Sequence, residues 1–313
     1  MHFFRPVFLL ICLVGVAPIE SHADEPELGS QEFAILGGSA TLGDPAVGLL
    51  RIPNAGNSLC SLTLIHPRFV VTARHCIQAS VGGQLSEDGL LYLPEELRVY
   101  FGAEPSVSDF WYAVDDYRFH TAADLAVLKL SEEVHNVEPI PLNFYSLGAM
   151  IGAEVRIVGY GRTETDSGST AGTKRFGFSR LERVTAINTV GAVAVTGAPG
   201  DGARLCAGDS GGPTFITVDG VEYLAGVNSA VVRFNSAGAS AISERVRCED
   251  DDARNAEVRV DRYDDWINGA IKELNGGSFF LTSGCDMSQN GLSLVPSLLV
   301  VLFLFRRRRG FSP

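Results

Sequence analysis

An all-β fold is the class this sequence predicts, and three observations carry it. From residue 49 to about residue 260 the chain runs in short apolar or alternating stretches separated by Gly, Pro, Asn and Asp, the pattern of strands and turns. With 34 Gly and 46% hydrophobic residues in 313, the composition is that of a turn-rich globular protein, not a disordered one. Only one stretch, residues 261–274, repeats at helical spacing. The length allows one large or two small domains with ample core. Evenly scattered short strands suit barrels or a sandwich, and periodicity does not separate the two.

Taken in order, residues 1–23 read as a secretory signal: Arg5 opens it, an apolar run covers 7–16, and Ser21-His22-Ala23 offers small residues for cleavage. Residues 24–34 carry four acids and no base, too little apolar matter to fold, and suit a short propeptide or an exported linker. Strands are expected at 61–65, 68–72, 97–101, 125–130, 155–158 and 223–227. The Gly/Ser/Thr-rich residues 163–173 read as an exposed loop, and 233–247 as a polar insertion. In the helix, Tyr263, Trp266, Ile267, Ala270, Ile271 and Leu274 form one apolar face, with Asp261 as N-cap and Gly276 as stop. After a linker at 275–286, residues 287–305 carry no charge and precede four arginines, Arg306 to Arg309. Such a stretch can just cross a bilayer and would leave the arginines cytoplasmic.

The formal charge of −12, with no basic stripe ahead of the C-terminus, excludes nucleic acid as an expected partner. Of the six cysteines, Cys12 leaves with the signal and Cys285 lies outside the domain. Cys60, Cys76, Cys206 and Cys248 remain, and export permits them to form disulfides in any of three pairings.

The stretch with the clearest chemistry is Gly208-Asp209-Ser210-Gly211-Gly212-Pro213. A serine hydroxyl is a weak nucleophile until a base takes its proton and donors hold the oxyanion it creates. Glycines on both sides let a substrate carbonyl approach the N–H groups of Gly208 and Ser210. This loop resembles the nucleophile loop of the chymotrypsin-like (trypsin-family) serine proteases. Three further segments match that family in the same chain order: Ile35-Leu36-Gly37-Gly38, Thr72-Ala73-Arg74-His75-Cys76 and Asp124-Leu125-Ala126-Val127-Leu128. The resemblance covers residues 35–274.

What the resemblance implies is specific. The fold is two antiparallel six-stranded β-barrels meeting near residues 143–150, with a C-terminal helix and the site between the barrels. The disulfides are Cys60–Cys76 and Cys206–Cys248. Ser210 is the nucleophile, His75 the general base and Asp124 its orienter, with Gly208 and Ser210 supplying the oxyanion hole. Cutting before Ile35 frees an ammonium group that pairs with Asp209. The residue before Ile35 is Ala34, where the family commonly has Arg or Lys, so a protease preferring small residues is the expected activator. No metal and no organic cofactor is called for, the partners are a protein or peptide substrate and the activator, and the chain is expected to be a monomer.

The primary specificity pocket is expected among Arg204, Ser229, Ala230 and Val231. Arg204 stands at the family's pocket floor, where cleavage after Lys or Arg would need an acid. It either recruits an acidic side chain or is neutralised by Glu257 or Asp201, leaving a shallow pocket for small residues. Ala230-Val231 replace the usual Trp-Gly and narrow the entrance. The C-terminal arrangement resembles the sorting tags of Gram-negative bacteria, with Cys285 a candidate for lipidation. It implies a surface-anchored or secreted product. The rival readings are a catalytically silent surface binding module, and a lipase or esterase, whose Gly-x-Ser-x-Gly elbow and chain order differ from the His, Asp, Ser order here.

Overall fold

The computed structural model describes residues 35–276, apart from 55–57, 82–83, 86–89, 107–108, 164–170, 199, 201, 235–239 and 242–245. The expected signal, propeptide and C-terminal tail, Cys285, and much of the 163–173 loop and the 233–247 insertion lie outside the described residues. The chain is mostly β with one C-terminal α-helix.

The strands are β1 (Ser39–Ala40), β2 (Val47–Ile52), β3 (Ser58–His66), β4 (Phe69–Thr72), β5 (Ser80–Val81) and β6 (Gln84–Leu85). Then come β7 (Arg98–Phe101), β8 (Tyr112–Phe119) and β9 (Ala126–Leu130). The second half holds β10 (Glu154–Gly159), β11 (Arg175–Arg180), β12 (Arg183–Ile187), β13 (Gly191–Thr196), β14 (Pro213–Val218), β15 (Val221–Phe234), β16 (Ser240–Ala241) and β17 (Arg254–Arg259).

Strands β2-β3-β4-β9-β8-β7 close into a barrel, as the resemblance implies. Period-two alternation assigns its faces. Leu50, Ile52, Leu62, Leu64, Val70, Val99, Leu128 and Leu130 fill the interior. Leu49, Phe69, Val71 and Val127 point the other way and join the core shared with the second half. Burial on both faces explains why β4 and β9 read as near-continuous apolar runs.

The second half departs from the expectation of a closed six-stranded barrel. It is a nine-stranded sheet ordered β1-β11-β10-β14-β15-β17-β13-β12, with β16 paired to β15. The cause is a corner in one long strand. β11 ends at Arg180 and β12 begins at Arg183, yet β11 pairs with β10 and β12 with β13. At the corner Leu181 turns inward and exchanges backbone hydrogen bonds with Gly152 and Ala153, while the Glu182 carboxylate accepts from Arg183 and Arg254. The two ends of the ladder are therefore consecutive in the chain, and the sheet rolls up without a hydrogen-bonded seam. β1 and β16 extend it further.

A 3₁₀ turn at Val260–Arg262 precedes α1 (Asp264–Leu274). Ile267, Ala270, Ile271 and Leu274 are buried against the shared core, with Tyr263 and Trp266 packed beside them, as the spacing predicts. Asp261 is not the N-cap. Its carboxylate instead takes the Arg259 guanidinium and the Leu147 N–H, which holds it one turn too early to reach the helix amides. Asp264 and Asp265 place negative charge in the first turn, the favourable end of the helix dipole. The disulfides Cys60–Cys76 and Cys206–Cys248 both form, with Cα–Cα separations of 6.0 and 5.2 Å.

Candidate active site

His75 sits in a 3₁₀ turn directly after β4, held by the Cys60–Cys76 disulfide to the neighbouring strand. Asp124 lies in the turn before β9, the strand paired with β4, so one barrel edge brings both residues together. Asp124 Oδ2 accepts from His75 Nδ1 at 2.7 Å, and Oδ1 accepts from the His75 backbone N–H at 2.9 Å. Ser229 Oγ donates to Oδ2 at 2.5 Å, and the Asp124 N–H donates to the Val190 carbonyl at 2.9 Å. The carboxylate is thus gripped from both halves of the molecule. Asp115 and Asp116, the nearby acids, are exposed and paired with Arg68 and Arg118.

Burial alone would raise the Asp124 carboxyl. The His75 charge and the hydrogen bonds from His75 and Ser229 outweigh it and hold the group at about 2. Burial likewise pulls the His75 imidazole down, but the Asp124 charge and hydrogen bond lift it above its ordinary 6.5. Arg74 acts weakly in the opposite sense. Its guanidinium is turned to the carbonyls of His120 and Thr121, so it braces the turn that carries Asp124.

The Ser210 loop lies at the mouth of β14. The Ser61 N–H donates to the Ser210 carbonyl, and Ser61 Oγ bridges the Tyr160 N–H and the Gly208 carbonyl. Cys76 Sγ touches the Ser210 carbonyl at 3.6 Å, which sets the serine loop against the His75 turn. Gly211 has φ +83°, and a Cβ there would lie 2.0 Å from Thr72 Oγ1 and 2.2 Å from the Ser61 carbonyl, so no other residue fits. The N–H groups of Gly208 and Ser210 donate to no described residue, which leaves both available to an oxyanion. Ser210 Oγ has no hydrogen bond among the described residues, His75 included. Such bonds are commonly long in ligand-free sites and tighten with substrate.

A cavity of about 230 Å³ opens beside Ser210, lined by Leu205, the Cys206–Cys248 disulfide, Ser229, Ala230 and Val231. Arg204 is not part of it, contrary to the sequence expectation. Residues 204 and 205 lie on extended backbone, so their side chains leave on opposite sides. Leu205 faces the cavity, while Arg204 forms a bridge with Leu36, donates to the Asp250 carbonyl and lines a separate depression with Gly200, Gly202 and Asp251. Of its two expected partners, Asp201 lies outside the described residues and Glu257 is engaged elsewhere. No charged side chain lines the cavity among the described residues.

Both residues of the expected activation pair are buried. Ile35 is buried against Ile157, Ala203 and Leu205 at φ +51°. Asp209 is fully buried, with Oδ1 accepting from the Gly161 N–H at 2.7 Å and Oδ2 from the Cys206 N–H at 2.9 Å. It makes no ion pair among the described residues. Burial raises its carboxyl to about 7 against the opposing pull of those donors and of the Arg175 charge. The two clusters with metal-ligand spacing, Cys60/His75/Cys76 and Cys206/Cys248/Glu249, each contain a disulfide, whose sulfurs are not the thiolates that bind metals.

Sequence reasoning missed two polar residues that shape the site, Ser61 and Asn255, and named a third, Glu257, only as a partner for Arg204. Ser61 lies with Thr63 on the face of β3 opposite Leu62 and Leu64, and two small polar residues within a buried apolar run were its signal. Asn255, buried in β17, accepts from the Leu205 N–H and donates to Thr196 Oγ1 and the Ala203 carbonyl, bracing the wall behind the cavity. Glu257 is also fully buried; Oε1 accepts from Thr196 Oγ1 at 2.7 Å and Oε2 has no partner among the described residues. Burial raises it to about 8.

Two measurements follow from these fields. In Asp124→Asn, NMR titration should show the His75 imidazole falling from above 6.5 to below its wild-type value, because the charge that lifts it is gone; an unmoved titration would remove the coupling. Glu257 binds its proton more tightly folded than unfolded, so stability is full below about 4.5 and declines as pH rises toward 8. Glu257→Gln should flatten that decline in urea unfolding, and an unchanged slope would place the proton elsewhere.

The comparisons with known proteins agree with this geometry. The family model described as Trypsin matches residues 39–267, well over half of the chain. A Mus musculus protein described as hepatocyte growth factor activator serine protease is 26% identical over 264 residues. The match covers 76% of this chain but 37% of that relative's length. With the family model spanning both halves of the fold and the loops that hold His75, Asp124 and Ser210, the chain belongs to the trypsin family.

Proposed function

We propose that the protein is an exported serine endopeptidase that cleaves peptide bonds through an acyl-enzyme on Ser210. The observation that carries this reading is the hydrogen-bonded chain Ser229–Asp124–His75, set against the Ser210 loop at the edge of an open cavity. Asp124 accepts a hydrogen bond from the His75 Nδ1–H and so holds the tautomer that keeps Nε2 free as a base. His75 Nε2 removes the Ser210 Oγ proton as Oγ attacks the substrate carbonyl. The oxyanion forms against the N–H groups of Gly208 and Ser210. His75 then returns the proton to the departing amine, and water repeats the cycle to free the acid.

The cavity, whose described lining carries no charge, supports a preference for small apolar residues before the scissile bond. With Arg204 turned away, the alternative of an acidic residue loses its cation. Cleavage before Ile35 by a separate protease is the proposed activating step, since a buried carboxylate at Asp209 is stabilised by an ion-pair partner. The signal-like residues 1–23 and the apolar, arginine-ended 287–309 support export followed by surface anchoring or release.

Ser210→Ala should lower peptide hydrolysis roughly a million-fold in the form beginning at Ile35, while circular dichroism stays unchanged. Undiminished hydrolysis would remove the serine from this role. A peptide-library profile of the same form should favour Ala, Val or similar residues before the cut; a dominant preference for Lys or Arg would show that the cavity beside Ser210 is not the specificity pocket.

A further inference from the structure

Asp209 poses a physical problem in the continuous chain: its carboxylate is turned inward and held by two backbone N–H groups before any new amino terminus exists. A buried carboxylate needs a cation close by to ionise without a large desolvation cost. The sheet register identifies which cation is in reach. A Cβ placed on Gly159 would lie 2.2 Å from Asp209 Oδ1, so the missing side chain of Gly159 is the space that the Asp209 carboxylate occupies. The residue directly across the ladder from Gly159 is Arg175, at the start of β11. Directly opposed residues of an antiparallel pair project from the same face with Cβ atoms about 5 Å apart. The Arg175 side chain therefore leaves the sheet on the Asp209 side, and an arginine spans more than that gap.

Two further observations agree. The charges of Arg175 and Asp209 act on each other, each favouring the other's ionised form. Arg175 is also the cross-strand partner of Ala40 in β1, five residues beyond the proposed cleavage point, so it belongs to the region that cleavage would rearrange. Its guanidinium donates to the Thr173 carbonyl at 3.1 Å, and moving onto the carboxylate takes a change of rotamer that gives up such contacts.

We propose that Arg175 is a positioning residue that stands in at Asp209 for the amino terminus, so that the uncut chain retains part of its activity. The inference rests on the serine-endopeptidase reading above and adds regulation to it. A charged, partly desolvated contact of this kind holds the Gly208–Ser210 loop in its competent shape without a cut. Cleavage at Ile35 then supplies a second cation to the same carboxylate and makes Arg175 dispensable.

The test uses the full chain, with the site before Ile35 blocked by Ala34→Pro, beside the form beginning at Ile35. The readout is the rate at which a fluorophosphonate labels Ser210. Blocked wild type should label measurably. Arg175→Gln should lower the ratio of blocked to cut labelling rates by about tenfold or more, the scale of one hydrogen bond to a charged group, and Arg175→Lys should restore most of it. A blocked wild type that does not label while the cut form does would overturn the proposal. Equal ratios in wild type and Arg175→Gln would overturn it as well, as would loss in Arg175→Gln that Arg175→Lys does not rescue, since that marks a packing role. Failure of the cut wild type itself to label would instead overturn the serine assignment on which the inference stands.

Discussion

A carboxylate set between two β-sheets is stable as an anion only if both sheets give it donors, and Asp124 obtains them. The first barrel supplies the His75 ring and backbone N–H, the second half supplies Ser229, and the Asp124 N–H ties back to Val190. One side chain thereby fixes how the two halves meet and which imidazole tautomer faces the cleft. The apolar packing around it is consistent with this. Leu49, Val71 and Val127 from the barrel share one core with Val193, Val227 and Val258 from the other half, so the cleft is a seam in a continuous interior.

The loop bearing Ser210 depends on the same seam. Its carbonyls are taken by Ser61 and approached by Cys76, both from the first barrel, while its amides at Gly211 and Gly212 are spent on Asn228 and Asp209 of the second half. Among the described residues the backbone donors at Gly208 and Ser210 stay unspent. A developing negative charge is favoured where donors are already aligned and need no reorganisation.

Much of this was legible in the chain because it depends on local pattern. The apolar runs became strands, the spacing from Tyr263 to Leu274 became the helix, and four short motifs in order pointed to the fold and to His75, Asp124 and Ser210. Arg204 was misplaced because a match along the chain gives a position but not the side of an extended backbone on which a side chain leaves. Asp261 was misread as a cap because Arg259, two residues away, competes for it. The second sheet's corner at Leu181–Glu182 depends on distant partners at Gly152, Ala153 and Arg254, and no local window contains them. Asn255 escaped notice, and Glu257 was given the wrong partner, for a similar reason: a polar residue in a strand reads as outward-facing until the curvature of the sheet turns it in.

The wall of the cavity beside Ser210 is closed by a covalent link between residues 42 apart, Cys206 and Cys248, and the turn that carries His75 is clamped by a second, Cys60–Cys76. The recognition surface and the proton-handling pair therefore share one chemical sensitivity. In a thiol-rich compartment both would loosen, so an oxidising milieu is a condition for turnover and selectivity alike and not just a destination.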